Sequence, residues 1–164
     1  MTKLPSGLRV TDAAARGMAR DLISAARFGA LAVLSPETGR PVVSRVAIAT
    51  TPQGALLTLV SDLSGHTAAL RRDPRCSVLV GEPAQRGDPL THPRLTLEAD
   101  ACFIRKGDAG YQALRDHYLK HRPKAGLYID FMDFSFVRFD VTRAHLNGGF
   151  GKAFVLSPDD LMQD

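Results

Sequence analysis

The sequence predicts a mainly β chain with flanking helices, an α+β domain built on a closed antiparallel barrel. Apolar segments with strand character follow one another from Ala30 to Leu156, joined mostly by short turns. Few helical stretches lie between them, which disfavours a doubly wound parallel sheet. With 164 residues, the chain is expected to form one domain, 1–164, large enough to bury a core.

Residues 1–10 read as a flexible arm. The segment from Thr11 to Phe28 reads as a helix capped by Thr11 or Asp12. Ala14, Met18, Leu22 and Ala26 share one of its faces, and Gly29 is its expected stop. Strands are predicted over 30–35 and 41–50, with the polar turn SPETGR near their junction. Thr51-Pro52-Gln53-Gly54 has type I turn chemistry and leads into a strand over 54–60. A second helix starts at Ser64 and must finish near Asp73, because Pro74 disfavours helical geometry before it. A strand over 75–83, a polar loop over 84–93 and a long strand over 94–106 come next. Leu95, Leu97, Ala99, Ala101 and Phe103 point one way along that strand. Asp108 is the expected cap of a third helix, which turns Tyr111, Leu114 and Tyr118 inward and stops at Pro123. The segment 133–146 is another long strand, 147–153 a glycine-rich bend, and FVLS a last short strand.

Bulk composition excludes several classes. The net charge is +4 with a pI near 9.4, but basic residues are scattered and there is no Trp. No nucleic-acid partner is expected. No apolar run reaches membrane-spanning length and the N-terminus lacks a signal core, so the expectation is cytoplasmic with no membrane partner. Cys76 and Cys102 read as buried free thiols. The cysteines have no zinc-type spacing; His117 and His121, four apart on one helix face, have a spacing that can bind a metal, but no Glu follows His117 and they read as exposed.

One stretch carries ligand chemistry. Ser64, Gly65, His66 and Thr67 open the second helix, where unpaired N–H groups and the helix dipole favour an anion. Ser64 is a natural cap there, Gly65 admits close approach, and His66 and Thr67 supply donors. Arg45 stands alone in an apolar strand, and aimed at the same place it would give a phosphate a charged partner. Asn147 to Lys152 fails both the phosphate-loop and the dinucleotide patterns. It reads as a glycine corner, or as a loop bringing Phe150 and backbone amides to a flat ligand. No triad or carboxylate pair is present, so any chemistry would come from a cofactor.

SRVAIAT, LVSDLSGHTAALRRDPRCSVLVGE, GDPLTHPRLTLEADA and DFSFVRFDVTRAHLNGGFGKA occur in order between Arg27 and Ala153. Together they resemble the pyridoxamine 5′-phosphate oxidase-like flavoproteins, closest to the haem-utilisation branch. The resemblance implies a Greek-key split β-barrel of FMN-binding type, a homodimer with two FMN sites at the subunit seam and a small-molecule substrate. It assigns the phosphate to Arg45, His66 and Thr67. Ser44, Val46 and Ala47 would line the cofactor, and Leu59, Val60 and Ser61 would follow its ring. Arg94 and Leu95 would come from the partner subunit, and Gly149 and Phe150 would close near the ring. The implied activity is that of a flavin-dependent oxidoreductase, with a haem or flavin carrier as the alternative. For the carrier, His145, His117 and His121 are the candidate iron ligands. Thr50 replaces a basic residue of the oxidases and Trp is absent, which points away from vitamin B6 oxidation. No His follows His145, where haem-degrading members carry one.

Overall fold

The computed structural model describes residues 8–162. In chain order the elements are β1 (Leu8–Arg9), α1 (Ala13–Ala25), β2 (Phe28–Leu34), β3 (Pro41–Ala47), β4 (Ala49–Thr50), β5 (Leu56–Ser61) and α2 (Gly65–Arg72). They continue with β6 (Arg75–Val80), β7 (Arg94–Ile104), α3 (Tyr111–His121), β8 (Phe134–Asn147), β9 (Ala153–Leu156) and α4 (Pro158–Leu161).

The strands form one sheet that closes on itself. β3 pairs β2, which pairs β6, then β7, β8 and β5, and β5 pairs β4. β3 and β4 are consecutive in the chain, separated by Ile48 alone. One strand path therefore leaves β2 and joins β5, and the barrel is split where it crosses. Closure removes most of the free edge that an open sheet would carry. These pairings are antiparallel, while β1 adds to β9 in parallel.

Alternation fills the barrel. Leu31, Val33, Val46, Val60, Val78, Leu95, Leu97 and Leu146 all point inward and are buried. α1 joins this core through Ala15, Ala19 and Ile23. α3 packs outside the barrel against β5 and β8, forming a second core with Tyr118 edge-on to Phe136 at 5.2 Å between centroids.

Several sequence expectations shift. Leu8 and Arg9 of the expected arm pair with β9, while residues 1–7 lie outside the described residues. The buried face of α1 is Ala15, Ala19 and Ile23, and Ala14 is exposed. Met18, Leu22 and Ala26 pack beside that face, so the inward stripe is rotated by one residue. α1 ends at Ala25, and Gly29 is a residue of β2. A Cβ there would lie 2.9 Å from the Leu79 carbonyl oxygen, so glycine admits β6 at close range. Asp12 does cap α1, accepting from Ala15 N–H at 2.8 Å. Asp108 does not cap α3; it accepts from Arg105 N–H, and Gly110 at φ +81 takes the cap. α4 has no counterpart in the sequence reading. It is held by a capping box between Ser157 and Asp160, with Arg16 on Asp160 at 2.6 Å.

Candidate functional site

Two clefts flank β3. The first, of about 410 Å³, lies on the outer face of the barrel. Its floor is Phe28, Ala30 and Leu79, its rim includes Val43, Gly81 and Glu82, and Arg45 and Arg94 both line it. Strand register explains the meeting of these groups. Arg45 lies opposite Ala30 in β2, and Ala30 lies opposite Leu79 in β6. All three turn away from the core side marked by Leu31, Val46 and Val78. Arg94 opens β7 beside Gly81, where a Cβ would come within 2.6 Å of the Pro93 carbonyl oxygen. Gly81 has φ +101, a conformation that only glycine takes without strain.

The electrostatics of this cleft favour an anion. Arg45 stacks on Phe28 with its guanidinium carbon 5.1 Å from the ring centroid. Arg94 donates to the carbonyls of Leu90 and His92 at 3.0 and 3.4 Å. Among the described residues neither arginine forms an ion pair with a carboxylate. Two cations that pair with no carboxylate, against the single rim carboxylate of Glu82, leave the cleft net positive over an apolar floor and suit a flat ligand bearing carboxylates or a phosphate.

The second cleft, of about 280 Å³, lies at the start of α2. Val33, Ser35, Glu37, Ser44, Gly65 and His66 line it. Burial holds the His66 pKa below its usual value, which favours the neutral ring. Ser44 lines both clefts, whereas Arg45 and His66 line different ones. The sequence places Arg45 beside the helix start and Arg94 in the partner subunit, whereas in the structure Arg45 lines a cleft with Arg94 of the same chain and His66 lines the other. Alternation is the reason: neighbours in a strand point to opposite faces, and Ser44 takes the helix side.

The remaining candidates divide by burial. Val46, Val60 and Leu95 point into the barrel core, so their backbone alone can face a ligand. Thr67 is fully buried and its hydroxyl donates to the Ser61 carbonyl at 2.7 Å. Ser64 occupies the N-cap position of α2 but makes no side-chain cap bond. Ser61 is half-buried and donates to Asp133 at 2.5 Å. Ala47 is exposed, on the same face as Arg45. Leu59 is half-buried beside the α3 core. Gly149 sits against the Thr91 carbonyl at φ +107, and Phe150 is 100% exposed. Neither lines the arginine cleft.

The histidines proposed for iron lie elsewhere. His145 Nε2 is 2.6 Å from Glu98, and His117 stacks on His121 at 4.8 Å. His121 is exposed as expected, but His117 is half-buried. Both cysteines are free and half-buried, and burial pushes the Cys76 thiol up to about 12. Sequence reasoning missed Phe28, Gly81 and Glu82. Phe28 falls inside the predicted first helix, and a glycine after a strand gives no sign of what it must clear.

Among the described residues no helix is long and apolar enough to cross a membrane. The family described as CREG, β-barrel matches residues 10–163. The chloroplastic non-canonical haem oxygenase HOZ of Arabidopsis thaliana is 33% identical over 137 residues, 83% of this chain and 41% of that protein. This chain therefore spans less than half of that relative's length. A haem-binding protein from Mycobacterium smegmatis is 32% identical with a TM-score of 0.80, over 93% of this chain and 61% of that one. A general stress protein 26-related protein of the pyridoxinephosphate oxidase family from Clostridium acetobutylicum has a TM-score of 0.68 at 12% identity, over 92% and 99% of the two chains. That last likeness concerns the fold alone. The match over residues 10–163, nearly the whole chain, makes this chain a member of the CREG β-barrel family.

Proposed function

We propose that this protein binds haem on the outer face of its barrel and serves in haem utilisation. One observation carries the reading: Arg45 and Arg94, both without a carboxylate partner, line one cleft with an apolar floor. A porphyrin with two carboxylates matches that donor set, because guanidinium forks bind carboxylates and Phe28 and Leu79 suit a flat apolar ring. Relatives at 33% and 32% identity are a haem oxygenase and a haem-binding protein by name. Bound haem supplies an iron that takes small ligands and exchanges electrons. The protein's share is to anchor the carboxylates and shield one face of the ring.

A second reading, an FMN-dependent oxidoreductase, is favoured by the α2 start. Gly65 and His66 line a cleft that shares Ser44 with the arginine cleft. An FMN phosphate could be held there, with a second copy of the chain completing the site as a homodimer. Titration with haemin separates the two readings. A saturable Soret band supports haem. Yellow purified protein that releases FMN on denaturation and gives no Soret shift replaces it with flavin.

A further inference from the structure

We propose that Arg122, at the end of α3, is a positioning residue for the anion-binding Arg45. This rests on the reading of the arginine cleft given above. Ile48 falls between the two registers that close the barrel. The β2–β3 pairing ends at Ala47 and the β4–β5 pairing begins at Ala49. Its carbonyl is therefore left out of both ladders while its side chain is fully buried. A carbonyl in that position needs a donor. Arg122 supplies it: Nη2 donates to the Ile48 carbonyl and, at 2.6 Å, to the Arg27 carbonyl. Ile48 N–H also donates to the Arg27 carbonyl, at 3.0 Å. One guanidinium thus ties the point where the strand path leaves β2 to the point where β2 begins.

Both tied points adjoin the cleft. Arg27 precedes Phe28, and Phe28 lies opposite Ala47 and beneath Arg45. Loss of the tie leaves the Ile48 carbonyl without a donor, and the Arg27–Phe28 and Ala47–Ile48 backbone is then held by the Ile48 N–H bond to Arg27 and the Thr58 hydroxyl on the Ala47 carbonyl, so the ring on which Arg45 rests is less firmly fixed. Arg122 itself does not line the cleft. It acts through the backbone, so α3 contributes to the anion site from the opposite side of the crossover.

The test is a double-mutant cycle with haemin as the probe, run beside hydrogen exchange of the unliganded chain. Arg122→Gln should raise the haemin Kd about tenfold when Arg45 is present, and change it little in Arg45→Ala. Arg122→Lys, which keeps a cationic donor of longer reach where glutamine offers a shorter, neutral one, should retain more affinity than Arg122→Gln. Amides of residues 44–50 should exchange faster in Arg122→Gln while those of β7 stay as in the wild type. An equal loss in both Arg45 backgrounds, or uniformly faster exchange, shows a general structural role and overturns the inference. If the wild type binds haemin and Arg122→Gln binds it as tightly, this inference alone falls. If the wild type takes up neither haemin nor FMN, the functional reading falls and this one with it.

Discussion

Arg45 rests on the ring of Phe28, its guanidinium carbon 5.1 Å from the centroid. The contact fixes a long, rotamer-rich side chain on the outer face without neutralising its charge. A cation held in this way loses little freedom when an anion arrives, which strengthens binding. The same ring is part of the cleft floor, so Phe28 serves both the arginine and a flat ligand.

Arg45→Ala should weaken anionic cofactor binding by about 1.5–3 kcal/mol, the range for a hydrogen bond to a charged group. Arg94→Ala should weaken it to a similar degree. Phe28→Leu should weaken it less, by about 0.5–1 kcal/mol, the size of an exposed cation–π contact. Equilibrium titration with haemin checks all three, and unchanged affinity in either arginine variant refutes its placement.

His66 should couple binding to pH. Burial lowers its pKa below 6.5, so near neutral pH the folded chain carries the neutral ring. The unfolded chain binds more protons just below that value. Stability is thus full above the unfolded pKa and declines as pH falls through it toward the folded pKa. An anion in the α2 cleft favours the charged ring, so its binding should take up a proton and tighten as pH falls toward the lowered His66 pKa. Calorimetry of phosphate or FMN binding in two buffers of different ionisation enthalpy measures the uptake. His66→Gln should abolish it, and equal heats for the wild type in both buffers would remove His66 from the site.

Gly81→Ala should be strongly unfavourable. The new Cβ would sit 2.6 Å from the Pro93 carbonyl oxygen and 2.8 Å from Arg94 Cα, at φ +101. Backbone strain of this kind costs about 1–3 kcal/mol. Because the obstacle is the backbone that presents Arg94, haemin affinity should fall together with thermal stability. Loss of neither would show that the end of β6 is free to move.

Thr67→Val should cost about 1–2 kcal/mol of stability. It removes a buried donor from the Ser61 carbonyl and keeps the side-chain shape. Denaturant unfolding gives the value. A loss of cofactor affinity larger than the loss of stability would instead restore Thr67 to the ligand site.

The barrel was legible because its strands alternate. Leu95, Leu97 and Ala99 were expected on one face of β7, and they are buried there. Pro123 correctly ended α3, since proline constrains the residue before it. Boundaries shifted where a glycine had two uses. Gly29 reads as a helix stop but belongs to a strand that β6 must approach closely. The site was legible in part. Arg45 and Arg94 are both singled out in the sequence, Arg94 as the partner subunit's contribution, whereas in the structure the two line one cleft of the same chain. Their meeting depends on the register of β3, β2, β6 and β7, which no local pattern specifies. The separation of Arg45 from His66 has the same origin, because one step along a strand changes the face. Arg122 gave no signal, since its partners are backbone carbonyls far away in the chain.

Haemin titration of the wild type beside Arg45→Ala and Arg94→Ala, followed through the Soret band, bears most directly on the cleft. Anchoring by the two guanidiniums predicts saturable binding by the wild type and a Kd raised at least about tenfold in each variant. A wild type that shows no Soret change, or variants that bind haemin as tightly as it does, would contradict that anchoring.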